Sequence, residues 1–138
     1  MKEDSLAGIW AERGTDDPPL LWTVKYWPAA QAEAKMLTPP QYWHVADQLK
    51  EMARTKDCCA CPTVDIAKIS SFWELKDKGG PLGKINLRVF FIVDAERHSI
   101  VVLGIHKKED EDQLRRSVIV RIERRERLYL ESIAPKRS

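Results

Sequence analysis

The sequence predicts an α+β domain: an N-terminal strand and a helical hairpin packed on a small antiparallel sheet, with a C-terminal helix. Three observations carry this. Residues 85–93 and 99–105 are apolar runs of strand length, separated by the polar turn "DAERH", which is the spacing of a close antiparallel hairpin. Residues 38–53 place apolar side chains every three to four positions, the period of an amphipathic helix. The elements then read β-α-α-β-β-β-α, and helices clustered beside an antiparallel sheet make a two-layer α+β domain.

The chain's 138 residues suit one domain and can bury a core without disulfides or metals. Apolar content of 43% and charged content of 32% are those of a soluble globular protein. No apolar run approaches the roughly 18 residues of a membrane span. The opening "MKEDSLAGIW" holds no signal-peptide core, so the cytoplasm is the expected compartment.

Each element has its own justification. Residues 1–19 mix charges, Gly and Pro and are read as an arm. "LLWTVKYW" (20–27) is aromatic and β-branched, hence a strand, and Pro28 stops it. Proline fits the first turn of a helix, where the N–H it lacks would have no partner, and "PAAQAEAKML" supplies good helix formers. In "TPPQYWHVADQLKEMA", Thr38 is a plausible N-cap, Pro39 opens the helix and Gln41 completes a capping-box spacing. Tyr42, Ala46, Leu49 and Met52 or Ala53 form its apolar stripe. "SSFWELKD" (70–77) alternates as a strand. "KGGPLG" is read as a turn, because it lacks the lysine-hydroxyl or dinucleotide spacing of a phosphate loop. The segment "EDEDQLRRSVIVRIERRERLYLE" fits a helix through Leu114, Val118, Ile122 and Tyr129, with acids first and arginines later, as the macrodipole prefers. Val118, Val120 and Ile122 also alternate like a strand. Residues 131–138 are expected to be a tail.

All three cysteines lie in "CCACP", as Cys58, Cys59 and Cys61. An odd number in one loop argues against a disulfide framework, and no second Cys or His pair stands at zinc spacing. A loop of thiols without a metal is expected, and no cofactor.

Alternation assigns faces. Along residues 85–93, Ile85, Leu87, Val89, Phe91 and Val93 point to the helix layer. Arg88 therefore lies on the opposite face, with Asn86 and Phe90. Trp73 and Leu75 point to the core, leaving Phe72, Glu74 and Lys76 beside Arg88. The last strand ends in His106, Lys107 and Lys108, one or other of which must project to the same side. Two readings of Arg88 stand: an internal ion pair with Glu74, or a cation kept for an anionic ligand such as a phosphodiester. His106 titrates near neutrality and is a candidate proton carrier. RNA is a fitting substrate for Arg, Lys and His without a metal, since its own 2′-hydroxyl can attack the adjacent phosphate. The net charge of +2 is uneven: residues 1–63 hold 7 basic and 9 acidic side chains, residues 64–138 hold 16 and 12. The second half could attract a polyanion, although many surfaces with such an excess bind nothing.

The motifs "WTVKYWPAAQAEAKMLTPPQYWHVADQLKEMA", "FWELKDKGG", "LRVFFIVD" and "IVVLGIHKK", in this order over residues 20–130, resemble the RelE/ParE superfamily of toxins from type II toxin–antitoxin systems, in its HigB-like, phage Gp49-like branch. The resemblance implies a RelE-like toxin domain over 20–130 that cuts messenger RNA, at the ribosome, with basic residues instead of a metal. It implies neutralisation by a cognate antitoxin. On this likeness Arg88, Lys107 and His106 are the expected catalytic residues, and Lys76, Lys84, Lys108 and Tyr129 the expected RNA contacts. Lys76 stands where the family has arginine, which removes bidentate phosphate geometry. Two other readings belong to the same resemblance: a ParE-like inhibitor of DNA gyrase, and a module that only binds the antitoxin.

Overall fold

The computed structural model describes residues 19–77, 86–107 and 116–135. The arm up to residue 18, the glycine-rich connection, Lys84, Ile85, Lys108 and Leu114 lie outside the described residues.

Strand β1 (Thr23–Tyr26) is short because Pro28 cannot extend it. The Trp27 amide makes a last contact to the Val102 carbonyl at 2.9 Å, and helix α1 (Pro28–Ala34) begins at once. Helix α2 (Pro39–Ala53) starts with the expected capping box. The Gln41 amide donates to Thr38 Oγ1 at 3.3 Å, and the Thr38 amide donates to Gln41 Oε1 at 3.0 Å. Val45, Ala46, Leu49, Met52 and Ala53 are buried. Tyr42, expected in this stripe, is half-buried at its edge. At the far end of α2 the Ala53 carbonyl accepts from the amides of Leu21 and Trp22, at 2.8 and 3.1 Å. This ties the hairpin to the chain entering β1 and satisfies a carbonyl that a helix end leaves open.

A 3-10 turn over Cys58–Ala60 leads to β2 (Asp65–Lys68), a strand that the sequence pattern does not predict. Only Ile66 and Ala67 are half-buried, between two exposed residues. An edge strand this short carries too little alternation to stand out. Strands β3 (Trp73–Asp77), β4 (Leu87–Asp94) and β5 (Ser99–Lys107) follow. The sheet order is β1-β5-β4-β3-β2. The β1–β5 pair is parallel and the other three are antiparallel, so the sheet is mixed, not wholly antiparallel. The β4–β5 turn closes on His98 at φ 47°, with Asp94 Oδ1 accepting from the Arg97 amide.

The C-terminal segment is helix α3 (Arg116–Ile133). Its first described turn holds no acid and its last turn no base, so charge polarity is not what defines it there. Its apolar stripe does: Val118, Ile122 and Tyr129 are buried. They pack on the sheet face opposite the hairpin, against Phe72, Phe90, Ile92, Val101 and Leu103. The hairpin covers the other face, over Leu75, Leu87, Val89, Phe91, Ile100 and Val102. The sheet is therefore sandwiched between helices, where the sequence predicted two layers. Gly104 makes the close approach of α3 possible. A Cβ there would lie 2.5 Å from Ile122 Cδ1 and 2.8 Å from Arg125 Nη1.

Beyond Val102, β5 has run past the end of β1. Its open backbone groups are met by side chains instead. The Ile105 amide donates to Glu33 Oε1 at 2.9 Å, and Arg125 Nη1 donates to the Leu103 carbonyl at 2.9 Å. Arg125 also grips both oxygens of Glu33, at 2.9 and 3.0 Å. One ion pair thus clasps α1 to α3 and completes the sheet edge.

Candidate functional site

Strand register decides which of the expected cations meet. Lys76 on β3 is the direct partner of Arg88 on β4, and Arg88 is the direct partner of His106 on β5. Directly opposed residues point to the same face of a sheet. Lys76, Arg88 and His106 therefore form one cross-strand row, on the side turned away from the hairpin. The next row inward is Glu74, Phe90 and Gly104, and α3 covers it. The cationic row lies at the edge of that cover.

Arg88 takes the ion-paired alternative. Its Nε lies 3.2 Å from Glu74 Oε2, and both side chains are buried, 9% and 5% exposed. Nη1 makes a long contact to its neighbour's carbonyl, Leu87 O, at 3.4 Å. Among the described residues the Nη2 group has no hydrogen bond. Glu74 thus holds the guanidinium by one edge, and the two charges lower each other's cost of burial. His106 beside it is half-buried, as is Lys76.

Lys107 is exposed and opposes Leu87, a core residue of the hairpin face. Its register sends it away from the row. Asp77 lies across Leu87 from it, and His44 Nε2 approaches Asp77 Oδ1 at 3.1 Å. The sequence offered no sign of this pair, because its members are 33 positions apart. His44 also lines an open groove of about 410 Å³ with Asp47, Gln48, Glu51, Arg54 and Thr63, between α2 and the segment leading into β2.

Tyr129 lies at the opposite end of the sheet from the row. It is buried, stands edge-on to Trp27 at 6.2 Å, and donates its hydroxyl to Asp94 Oδ2 at 2.7 Å. Burial, then the Asp94 hydrogen bond and charge, push its phenol up to about 12. Burial opposes ionisation of Asp94, but hydrogen bonds from Tyr129 and Arg97 outweigh it and hold that carboxyl below its ordinary range. This tyrosine is a packing and clamping residue, and no base can stack on it in this position.

The three cysteines are free thiols. A hydrogen bond shared between neighbours pushes the Cys58 thiol up, with burial adding to it, and the same bond holds Cys59 down. Among the described residues no group of three or more His, Cys, Asp or Glu could hold a metal. Nor is any described helix long and apolar enough to cross a membrane.

No family model matches the chain, and no curated protein matches it. A chain in the crystal structure of the toxin–antitoxin complex RelBE2 from Mycobacterium tuberculosis is similar to it, with 15% identity and a TM-score of 0.49, over 69% of this chain and 100% of that one.

Proposed function

We propose that this chain is the toxin of a toxin–antitoxin pair, of RelE/ParE type and HigB-like, acting in the cytoplasm as a metal-independent endoribonuclease on messenger RNA at the ribosome. A cognate antitoxin neutralises it by covering the basic face. The observation that carries the reading is the row Lys76–Arg88–His106, three cation-forming side chains aligned across the central strands. The order of motifs over residues 20–130 supports the family.

The chemistry follows from what each group can do. The 2′-hydroxyl oxygen bonds to phosphorus as the bond to the 5′ oxygen breaks, leaving a 2′,3′-cyclic phosphate and a 5′-hydroxyl. Neutral His106 takes the 2′-hydroxyl proton. The outer edge of the Arg88 guanidinium neutralises charge developing on the non-bridging oxygens, while Glu74 fixes the plane of that guanidinium from behind. Lys76 supplies the proton with which the 5′ oxygen leaves. Lys84 and Lys108 contact flanking phosphates, while Lys107, which faces the hairpin side, has no part in the step. Tyr129 has no part in this reading.

The buried Glu74 carboxylate favours one second reading, in which Arg88 is purely structural and the protein only binds its antitoxin. A single experiment separates the two. Purified protein is incubated with ribosome-bound and naked message, and the RNA ends are analysed. The nuclease reading expects 5′-hydroxyl and 2′,3′-cyclic phosphate ends, and a loss of about 10²–10³ in rate for His106→Ala or Arg88→Lys. Intact message with the wild-type protein overturns it and leaves the binding module. Intact message with DNA breaks in growing cells supports a gyrase inhibitor instead.

A further inference from the structure

The solvent face of α3 has a charge pattern that packing does not explain. Between residues 116 and 128 the exposed side chains are Arg116, Ser117, Val120, Arg121, Arg124, Arg127 and Leu128. Every exposed charge in that stretch is an arginine. Glu123 and Glu126 are half-buried, and Glu126 accepts a hydrogen bond from Ser71. An ordinary solvated helix face intersperses both signs. The fifth arginine, Arg125, is spent on Glu33. The other four have no ion pair among the described residues. They span about 17 Å of helix at 1.5 Å per residue.

The direction of α3 gives this track a destination. Tyr129 meets Asp94 at the C-terminal end of β4, and Ile122 lies over Gly104, the partner of Phe90. Seven residues of helix and four of strand cover similar lengths, about 10 and 13 Å, so α3 runs parallel to β4. Its N-terminal end, with Arg116, points toward the level of Arg88 and His106.

We infer that the arginine face of α3 is the docking track for the backbone of single-stranded RNA, leading it to the Lys76–Arg88–His106 row. This rests on the nuclease reading for what happens at the row, but not for binding along the helix. Four guanidiniums engage consecutive phosphates by charge-assisted hydrogen bonds, and Val120 and Leu128 lie between them as apolar contacts for sugars and bases. The track carries no sequence code, because phosphate contacts position a strand without reading it.

The test uses a fluorescein-labelled 20-nucleotide RNA with 2′-O-methyl groups throughout, which cannot be cut, and the full chain. In R116Q/R121Q/R124Q/R127Q, all changes lie on the exposed face, and an unchanged melting curve verifies the fold. Affinity is expected to fall on the order of 10²-fold at 0.1 M salt, and the slope of log K against log salt to become shallower by about 2.8. The control K25Q/K35Q/K56Q/K68Q removes four exposed charges elsewhere and is expected to keep most of the affinity. Equal losses in both variants would mean that net charge, not a track, binds the RNA, and overturn the inference. So would unchanged RNA binding in the arginine variant, including the case in which only capture of an acidic protein partner is lost. If the wild-type protein binds the probe through these arginines yet cuts no message, the track stands and the nuclease reading falls. If the arginine variant binds and cuts like wild type, the nuclease reading stands and the track falls.

Discussion

Arg88 and Glu74 show how one residue can serve two arguments. An arginine inside an apolar strand needs a partner, and Glu74, two positions earlier than Lys76, provides it at 3.2 Å. Removing one member of a buried pair leaves the other charge without its counter-ion and costs about 3–5 kcal/mol, whereas replacing both with apolar groups is often neutral or stabilising. Arg88→Leu is therefore expected to lower the urea midpoint sharply, and Arg88→Leu/Glu74→Leu to recover most of that loss. Recovery of stability without recovery of RNA cleavage separates the structural share of Arg88 from its catalytic share. A double variant no more stable than the single one would mean that the pair is not what holds Arg88 in place.

At the level of elements, the docking of α3 is the feature on which the site depends. Its stripe buries Phe90 and Leu103, and two polar clamps one turn apart hold its middle and C-terminal half: Arg125 to Glu33 and Tyr129 to Asp94. The second clamp titrates. The Tyr129 phenol is pushed up to about 12 from an unfolded value near ~10. A raised pKa in the folded state means that the stabilisation is complete below pH ~10 and fades as pH rises toward 12. The stability gap between wild type and Tyr129→Phe is expected to shrink over that window, measured by urea unfolding at successive pH values. A gap constant from pH 9 to 12 would mean that the hydroxyl does not clamp α3. Asp94, held below its ordinary range, contributes on the acid side, where its share is lost as pH falls through its folded value.

Across the whole molecule, the two helical layers give the central strands their protection. β4 and β5 are buried along nearly their full length on both faces, while β2 is a four-residue edge with exposed ends. Local opening is easiest where few apolar contacts close over the backbone. In native-state hydrogen exchange, the amides of Phe91 and Val102 are expected to exchange only by global unfolding, and those of β2 several orders of magnitude faster. Uniform exchange across the five strands would show that the sheet opens as one unit. The same architecture gives the site both rigidity and access: Arg88 and His106 sit on the most protected strands, just past the edge of α3.

The sequence alone determined what depends on neighbours along the chain. Pro28 and the Thr38–Gln41 box place the helix starts, alternation assigns Leu87, Val89 and Phe91 to one face and Arg88 to the other, and the period of Val118, Ile122 and Tyr129 marks α3. Local sterics and the burial of apolar side chains are enough for these. Only the tertiary structure decided that α3 closes over the arginine side of the sheet, that Lys107 faces away from Arg88 while His106 faces with it, and that Glu74 is already on the guanidinium. Those outcomes depend on register between strands and on contacts between residues far apart in sequence, such as Glu33 with Arg125, 92 positions away. No local period encodes such a pairing, because its energy exists only once the layers have met.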